Sequence, residues 1–196
     1  MSQYINIKIV ISDVQHTVYA GEICELIIDA AKKRGTGIAK RTPEYIESKI
    51  RDGKAVLALD GEKVVGFCYI ETWEHGKYVA NSGLIVNEEY RGQKLAFRIK
   101  KKVLDLSGHL FPDAKIFGIT TSNTVLNINF KLGYKPVTFS ELTTDPEFWK
   151  GCKSCVNFDI LQRTDKRMCL CTGMVYNGSN NKESNIEVSA STSKNE

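Results

Sequence analysis

Several things are missing from this chain of 196 residues. No stretch approaches the roughly 18 consecutive apolar residues of a spanning helix, so no membrane partner is expected. The start, Met1-Ser2-Gln3-Tyr4, lacks a basic region followed by an apolar one. No secretory signal is therefore expected, and the expected compartment is the cytoplasm. No dense basic patch interleaved with aromatics is present, and a net charge of +4 is spread thinly. That argues against a nucleic-acid partner while staying compatible with a polyanionic ligand. There is no internal repeat. The six cysteines, in a reducing compartment, are not expected to form a disulfide framework. Asn177 to Glu196 is rich in Ser, Asn and Lys and has no aromatic residue. Such a segment buries too little apolar surface to offset its ordering entropy, so 177–196 is expected to be a disordered polar tail after one domain over 1–176.

What is present suits a single domain with a sizeable core: 42% of residues are hydrophobic and 26% charged. Residues 4–11 alternate and are β-branched, predicting a strand. Val18 to Lys33 has a helical apolar face and is stopped by Gly35-Thr36-Gly37. Thr42 as N-cap and Pro43 at the first helical position start a second helix that runs to about Asp52. Ala55–Leu59 and Val64–Trp73 read as strands around the turn Asp60-Gly61-Glu62. Further strands are predicted over Tyr78–Val86, Lys115–Ser122, Pro136–Leu142 and Met168–Tyr176. Helices are predicted from Leu95 to about Gly108 and from Asn123 to Leu132, with a short helical turn at Asp145–Lys150.

The segment 82–107 is the most informative. Leu84-Ile85-Val86 is a buried run, Asn87 to Lys94 a polar turn, and Leu95, Ile99, Val103 and Leu106 fall at helical spacing. The first amides of a helix lack internal partners and the dipole there favours negative charge, so this strand–turn–helix is a phosphate cradle. Arg91, Lys94 and Arg98 add charge around it.

Arg91, Gly92, Gln93, Lys94, Leu95 and Ala96 resemble the acyl-CoA pyrophosphate loop of the GNAT superfamily of N-acetyltransferases, Arg/Gln-x-x-Gly-x-Gly/Ala. Arg91 and Ala96 match, whereas Lys94 stands where glycine is usual. Downstream, residues 129–134 resemble the family's Tyr-x-x-x-Gly-Phe helix end, with Gly133-Tyr134 fitting and Asn129 in place of the tyrosine that protonates the departing thiolate. That acid role is not carried over. The resemblance covers residues 5 to 176. It implies an α/β GNAT fold, a mixed central sheet with a splayed strand pair and flanking helices, and acetyl-CoA or another acyl-CoA as co-substrate. It also implies that the backbone N–H groups of Leu84, Ile85 and Val86 face the thioester. Asn123 and Asn127, four apart on one helix face, are candidates for the pantetheine amides. Segments 35–41, 78–86 and 141–155 are similar to small stand-alone GNATs that acylate glutamate in arginine biosynthesis.

Acyl transfer to an amine needs a base, and GNATs often place a carboxylate where Glu71 stands. Glu74, His75, Glu88 and Glu89 are the other candidates. The loop between the first two helices lines the acceptor pocket in the family, and here it is flanked by Arg34, Lys40 and Arg41. Guanidinium pairs with carboxylate through two hydrogen bonds, so these cations suit a small acidic amino acid. Acetyl and succinyl donors stay open, as do another amine or a protein terminus as acceptor, and a non-catalytic CoA-binding module. A homodimer is an admissible assembly. Cys152, Cys155, Cys169 and Cys171 number what a structural zinc needs. With Cys-x-Cys on a strand a poor chelating turn, no metal is the favoured reading.

Overall fold

The computed structural model describes residues 7–34 and 41–178. The glycine stop at 35–37, Lys40, and the tail from 179 onward lie outside the described residues, as does the side chain of Arg34. Seven strands form one mixed sheet: β1 (Lys8–Ile11), β2 (Ala55–Asp60), β3 (Lys63–Trp73), β4 (Tyr78–Val86), β5 (Lys115–Thr120), β6 (Tyr134–Val137) and β7 (Thr172–Tyr176), in the order β1-β2-β3-β4-β5-β7-β6. The β4–β5 pair is parallel and the others are antiparallel. The helices are α1 (Ala20–Arg34), α2 (Pro43–Arg51), α3 (Leu95–Leu110), α4 (Asn123–Lys131), α5 (Pro146–Lys150) and α6 (Phe158–Arg163).

Local chemistry explains most boundaries. The Thr42 hydroxyl accepts from the Tyr45 amide and Pro43 opens α2. The β2–β3 hairpin turns at Gly61, whose φ of +59° suits glycine. Three expectations need correcting. Val14–Tyr19 is a 3-10 turn held by a capping box between Asp13 and His16, so α1 starts at Ala20 rather than Val18. The strand expected over Pro136–Leu142 is β6, after which Thr138 and Glu141 cap a 3-10 turn over Phe139–Glu141. The last strand begins at Thr172 instead of Met168, so Cys169 and Cys171 precede it. Helix α6 was not expected, because six residues are too few to show a period.

Helix α3 covers one face of the sheet, packing Leu95, Ile99 and Val103 against Val65, Ile70 and Val79. On the other face α1 and α2 pack Ile23, Ile27, Ile46 and Ile50 against Leu57, Phe67 and Tyr69. A third cluster of Phe117, Phe139, Trp149 and Leu161 seats the chain after β6 on the same face.

Between these two covers the sheet opens. β4 pairs with β5 at Tyr78↔Lys115, Val79↔Ile116 and Ala80↔Phe117, after which β5 pairs with β7 and β4 continues on β3 alone. The expected splayed pair is thus β4–β5, parting after Ala80. A bulge on β4 lies just beyond, between Ser82↔Tyr69 and Ile85↔Phe67. Gly83 makes it, at φ +65°, and a Cβ there would stand 2.4 Å from the Tyr69 ring, so only glycine fits. The opening is braced by a buried network. Asn81 donates to Ser107 Oγ at 2.7 Å and accepts from Tyr134 Oη at 3.0 Å, while the Lys100 ammonium lies 5.1 Å over the Tyr134 ring. Burial pulls the Lys100 ammonium down to about 8.

Candidate active site

A cavity of about 700 Å³ occupies the splay. Its floor is β3 and β4, with Glu71, Ser82, Leu84 and Ile85 lining it. Ile27 of α1, Tyr45 and Lys49 of α2, and Arg41 just before α2 form one wall, and the other wall runs from Thr121 and Ser122 to Phe148, Cys152 and Cys155.

Glu71 is the best-placed carboxylate in it. On β3, Phe67, Tyr69 and Glu71 alternate onto the α1–α2 face. The Tyr45 hydroxyl donates to Glu71 Oε1, and Ser82 Oγ donates to Oε2 at 3.0 Å. Arg41 Nη2 stands 3.9 Å from Oε1. Burial raises the Glu71 carboxyl above its ordinary value, and Arg41 and the Ser82 hydrogen bond oppose that rise. An ionised carboxylate with a raised pKa is a better proton acceptor than an exposed one. Arg41 is held in turn: its Nε donates to Tyr69 Oη at 2.7 Å and its guanidinium lies 5.3 Å from the Tyr45 ring centroid. Lys49 lies 4.9 Å over that same ring, and desolvation lowers its pKa.

The other base candidates are elsewhere. Glu74 Oε1 accepts from Thr143 Oγ1 at 2.7 Å and the Thr144 amide at 3.2 Å, tying the 143–145 loop to the end of β3. His75 is exposed on the turn Glu74–Gly76. Glu88 pairs with Lys33 and with Arg91 at 3.8 Å, and Glu89 with Lys63 at 3.6 Å; none of these four carboxylates or rings lines the cavity.

The loop after β4 keeps the cradle geometry. Gly92 has φ +82°, and Lys94, the residue where the family has glycine, is itself left-handed at φ 57°, ψ 16°. Lys94 caps α3 without a side-chain hydrogen bond, leaving the amides of Leu95 and Ala96 directed into the loop. Arg91, Gly92, Gln93 and Lys94 are exposed and Leu95 is buried. Val86 is buried at the end of β4, and Asn123 and Asn127 are exposed on α4, away from the cavity lining. Asn129 is buried with its Oδ1 unpartnered, its Nδ2 3.6 Å from Met174 Sδ, and it offers no acidic proton.

Residue-level reading overlooked Tyr45, Lys49, Tyr69 and Ser82. The signal was present: Tyr45 and Lys49 are one helical turn apart after a capped start, and Tyr69 shares a strand face with Glu71. Of the six cysteines, Cys24 and Cys68 are buried in the core. The other four line one small cavity beside the large one. Burial and mutual repulsion push Cys152 up to about 11 and Cys171 up to about 12. No three metal-ligating side chains among the described residues form a preassembled group, and none of the described helices is long and apolar enough to cross a membrane.

No curated protein matches the sequence significantly. The structure is similar to N-acetylglutamate synthase from Neisseria gonorrhoeae, solved with coenzyme A and N-acetyl-glutamate, at 16% identity and TM-score 0.62, covering 89% of this chain and 36% of that one. This chain thus spans little more than a third of the gonococcal protein. It is also similar to Rv2747 from Mycobacterium tuberculosis, solved with CoA (14% identity, TM-score 0.61, covering 86% of this chain and 98% of that one). A further similar structure is yncA from Salmonella typhimurium, named as an acetyltransferase and solved with acetyl-CoA (13% identity, TM-score 0.60, 87% and 92% covered). At these identities the likeness carries the fold. The sequence carries the family: the model of the acetyltransferase (GNAT) family matches residues 23–133, more than half of the chain. With the splayed mixed sheet and the left-handed loop before α3, this chain belongs to the acetyltransferase (GNAT) family.

Proposed function

We propose that this enzyme transfers an acyl group, acetyl or succinyl, from CoA to the α-amine of L-glutamate, the reaction that opens arginine biosynthesis. One observation carries the reading: a partly buried carboxylate, Glu71, and a guanidinium, Arg41, stand 3.9 Å apart in the cavity at the strand opening. Lys49 adds a second cation on the same wall. An amine must lose a proton before it attacks, and two carboxylates must be held while it does. The site offers Glu71 as proton acceptor and two cations, while the other carboxylate of the lining, Glu147, is paired with Lys150; this suits an acidic amino acid better than a polyamine.

In this reading Arg41 holds a carboxylate of the acceptor, with Lys49 on the second and Arg34 or Lys40 assisting. Glu71, kept in place by Tyr45 and Ser82, takes the ammonium proton directly or through a water. Around Leu84, Ile85 and Val86, β4 lacks a β5 partner, and its backbone N–H groups on that open edge stabilise the oxyanion as the amine adds to the thioester carbonyl. Charge at the loop from Arg91 to Ala96, with the α3 amides, holds the donor's pyrophosphate, and Asn123 and Asn127 serve its pantetheine arm. The departing thiolate needs no protein acid, in keeping with Asn129.

The neighbouring solved N-acetylglutamate synthase supports the acceptor class by analogy of fold. The test is free-thiol release from acetyl-CoA and succinyl-CoA against a panel of amino acids, polyamines and peptide N-termini. Glutamate should lead the panel. A neutral or cationic amine acylated well while glutamate is inert would leave the family assignment standing and remove the acceptor.

A further inference from the structure

Cys152, Cys155, Cys169 and Cys171 line a single cavity of about 20 Å³, together with Phe158 and Asn157. That is room for one ion or one water, not for an organic ligand. The two cysteine pairs stand at the two ends of a turn-rich stretch. Cys152 lies in the 3-10 turn Gly151–Ser154 and Cys155 caps it, whereas Cys169 and Cys171 lead into β7. Between them lie only the short α6 and a turn with left-handed Asp165 and Lys166. The stretch is built of short elements that pack Leu161 into the third core cluster, and a cross-link between its ends would close it as a loop.

Asn157 adds an independent observation. Its backbone amide donates to Cys155 Sγ at 3.4 Å, and its side-chain Nδ2 is buried without a partner. A buried N–H donor beside a sulfur cluster wants an acceptor. A thiolate is a strong one and a thiol a weak one. Lys150, Lys153, Lys166 and Arg167 flank the cluster in sequence, offsetting the net negative charge that four thiolates keep around a dication. Cys-x-x-Cys is a usual half of a zinc site.

We infer that these four cysteines bind one zinc ion, which ties the 152–155 turn to the start of β7. The four cysteines are free of disulfides and do not stand at preassembled metal-binding separations. Binding requires that four S–H protons leave and the side chains turn onto the ion, with no redox change. The inference is independent of which amine is acylated. Its functional consequence is local: Cys152, Cys155 and Cys171 also line the large cavity, so the ion would fix the wall facing Arg41 and Glu71.

The experiment is elemental analysis of the full chain, expressed with zinc in the medium and purified without chelator. About one zinc per chain is expected. Cys152→Ser and Cys169→Ser should reduce it to a trace, and Cys24→Ser, in the core of the other cover, should leave it unchanged. Should the serine variants fail to fold, cobalt replacement in the wild type decides. A tetrathiolate site gives sulfur-to-cobalt charge-transfer bands and the intense visible bands of tetrahedral cobalt. Zinc-free protein that melts cooperatively and shows no such cobalt bands overturns the inference. So does a protein in which these cysteines are found as disulfides.

Discussion

Replacing Arg41 by alanine removes the guanidinium that faces Glu71. In the wild type its Nε donates to Tyr69 Oη at 2.7 Å and its Nη2 is 3.9 Å from Glu71 Oε1, with the side chain 20% exposed. A charge-assisted hydrogen bond to a carboxylate is worth about 1.5–3 kcal/mol. At about 1.4 kcal/mol per tenfold, its loss lowers kcat/KM for glutamate by roughly 10- to 150-fold. Partial solvent screening puts the result toward the lower end. The loss should appear in the acceptor KM, with acyl-CoA affinity unchanged. A second effect has a definite sign. Arg41 opposes the burial that raises the Glu71 carboxyl, so without it the carboxyl rises further. The base works only when ionised, so the acid limb of the kcat profile should move to higher pH. Arg41→Lys should recover part of KM, because an ammonium lacks the paired planar donors. The assay is thiol release at varied glutamate with saturating acyl-CoA, repeated with the roles exchanged. An unchanged glutamate KM combined with a raised acyl-CoA KM would refute the placement of Arg41 at the acceptor.

Glu71→Gln keeps the size and can still accept from Tyr45 or Ser82, but it cannot take a proton. The rate should fall by about 10²–10⁴-fold with little change in melting temperature; a fully active variant would remove Glu71 as the base. Lys94→Gly should relieve about 1–2 kcal/mol of left-handed strain against about 0.4–1 kcal/mol of added unfolded-chain freedom. Denaturant titration should thus show a gain of up to about 1.6 kcal/mol, while acyl-CoA binding weakens through the lost charge; a net loss of stability would mean the lysine side chain is held. Lys100→Met probes the buried network. The folded ammonium titrates near 8, below its unfolded value of about 10.4, so the folded state binds fewer protons in that window and the wild type gains stability there as pH rises. The stability advantage of methionine should therefore be larger at pH 7 than above pH 10 (roughly the unfolded lysine value); an advantage independent of pH would show that Lys100 is not desolvated.

Local signals carried most of the fold. The Thr42-Pro43 start, the Asp60-Gly61 hairpin and the period of α3 each depend on neighbours in sequence, and each element stands where expected within a few residues. The stretch from 151 to 171 was not legible. It is built from a 3-10 turn, a six-residue helix and left-handed turns, none long enough to show a period. The bulge at Gly83 was hidden as well, since it answers to the Tyr69 ring on another strand. Glu71 stood ahead of Glu74 only through the family resemblance, because as residues both are carboxylates near the end of one strand. Tertiary placement separates them: Thr143 and Thr144 occupy Glu74, and Glu71 faces the cavity. Lys94 shows the reverse case, in which a residue departed from the expected glycine and the backbone kept the left-handed conformation that glycine would take.

The acceptor assignment is tested most directly by mass spectrometry of the product formed from an acyl-CoA and an equimolar mixture of L-glutamate, L-glutamine and putrescine. The account predicts N-acylglutamate as the dominant product in the wild type, with the preference over glutamine collapsing in Arg41→Ala. Dominant acylation of glutamine or putrescine by the wild type would contradict it.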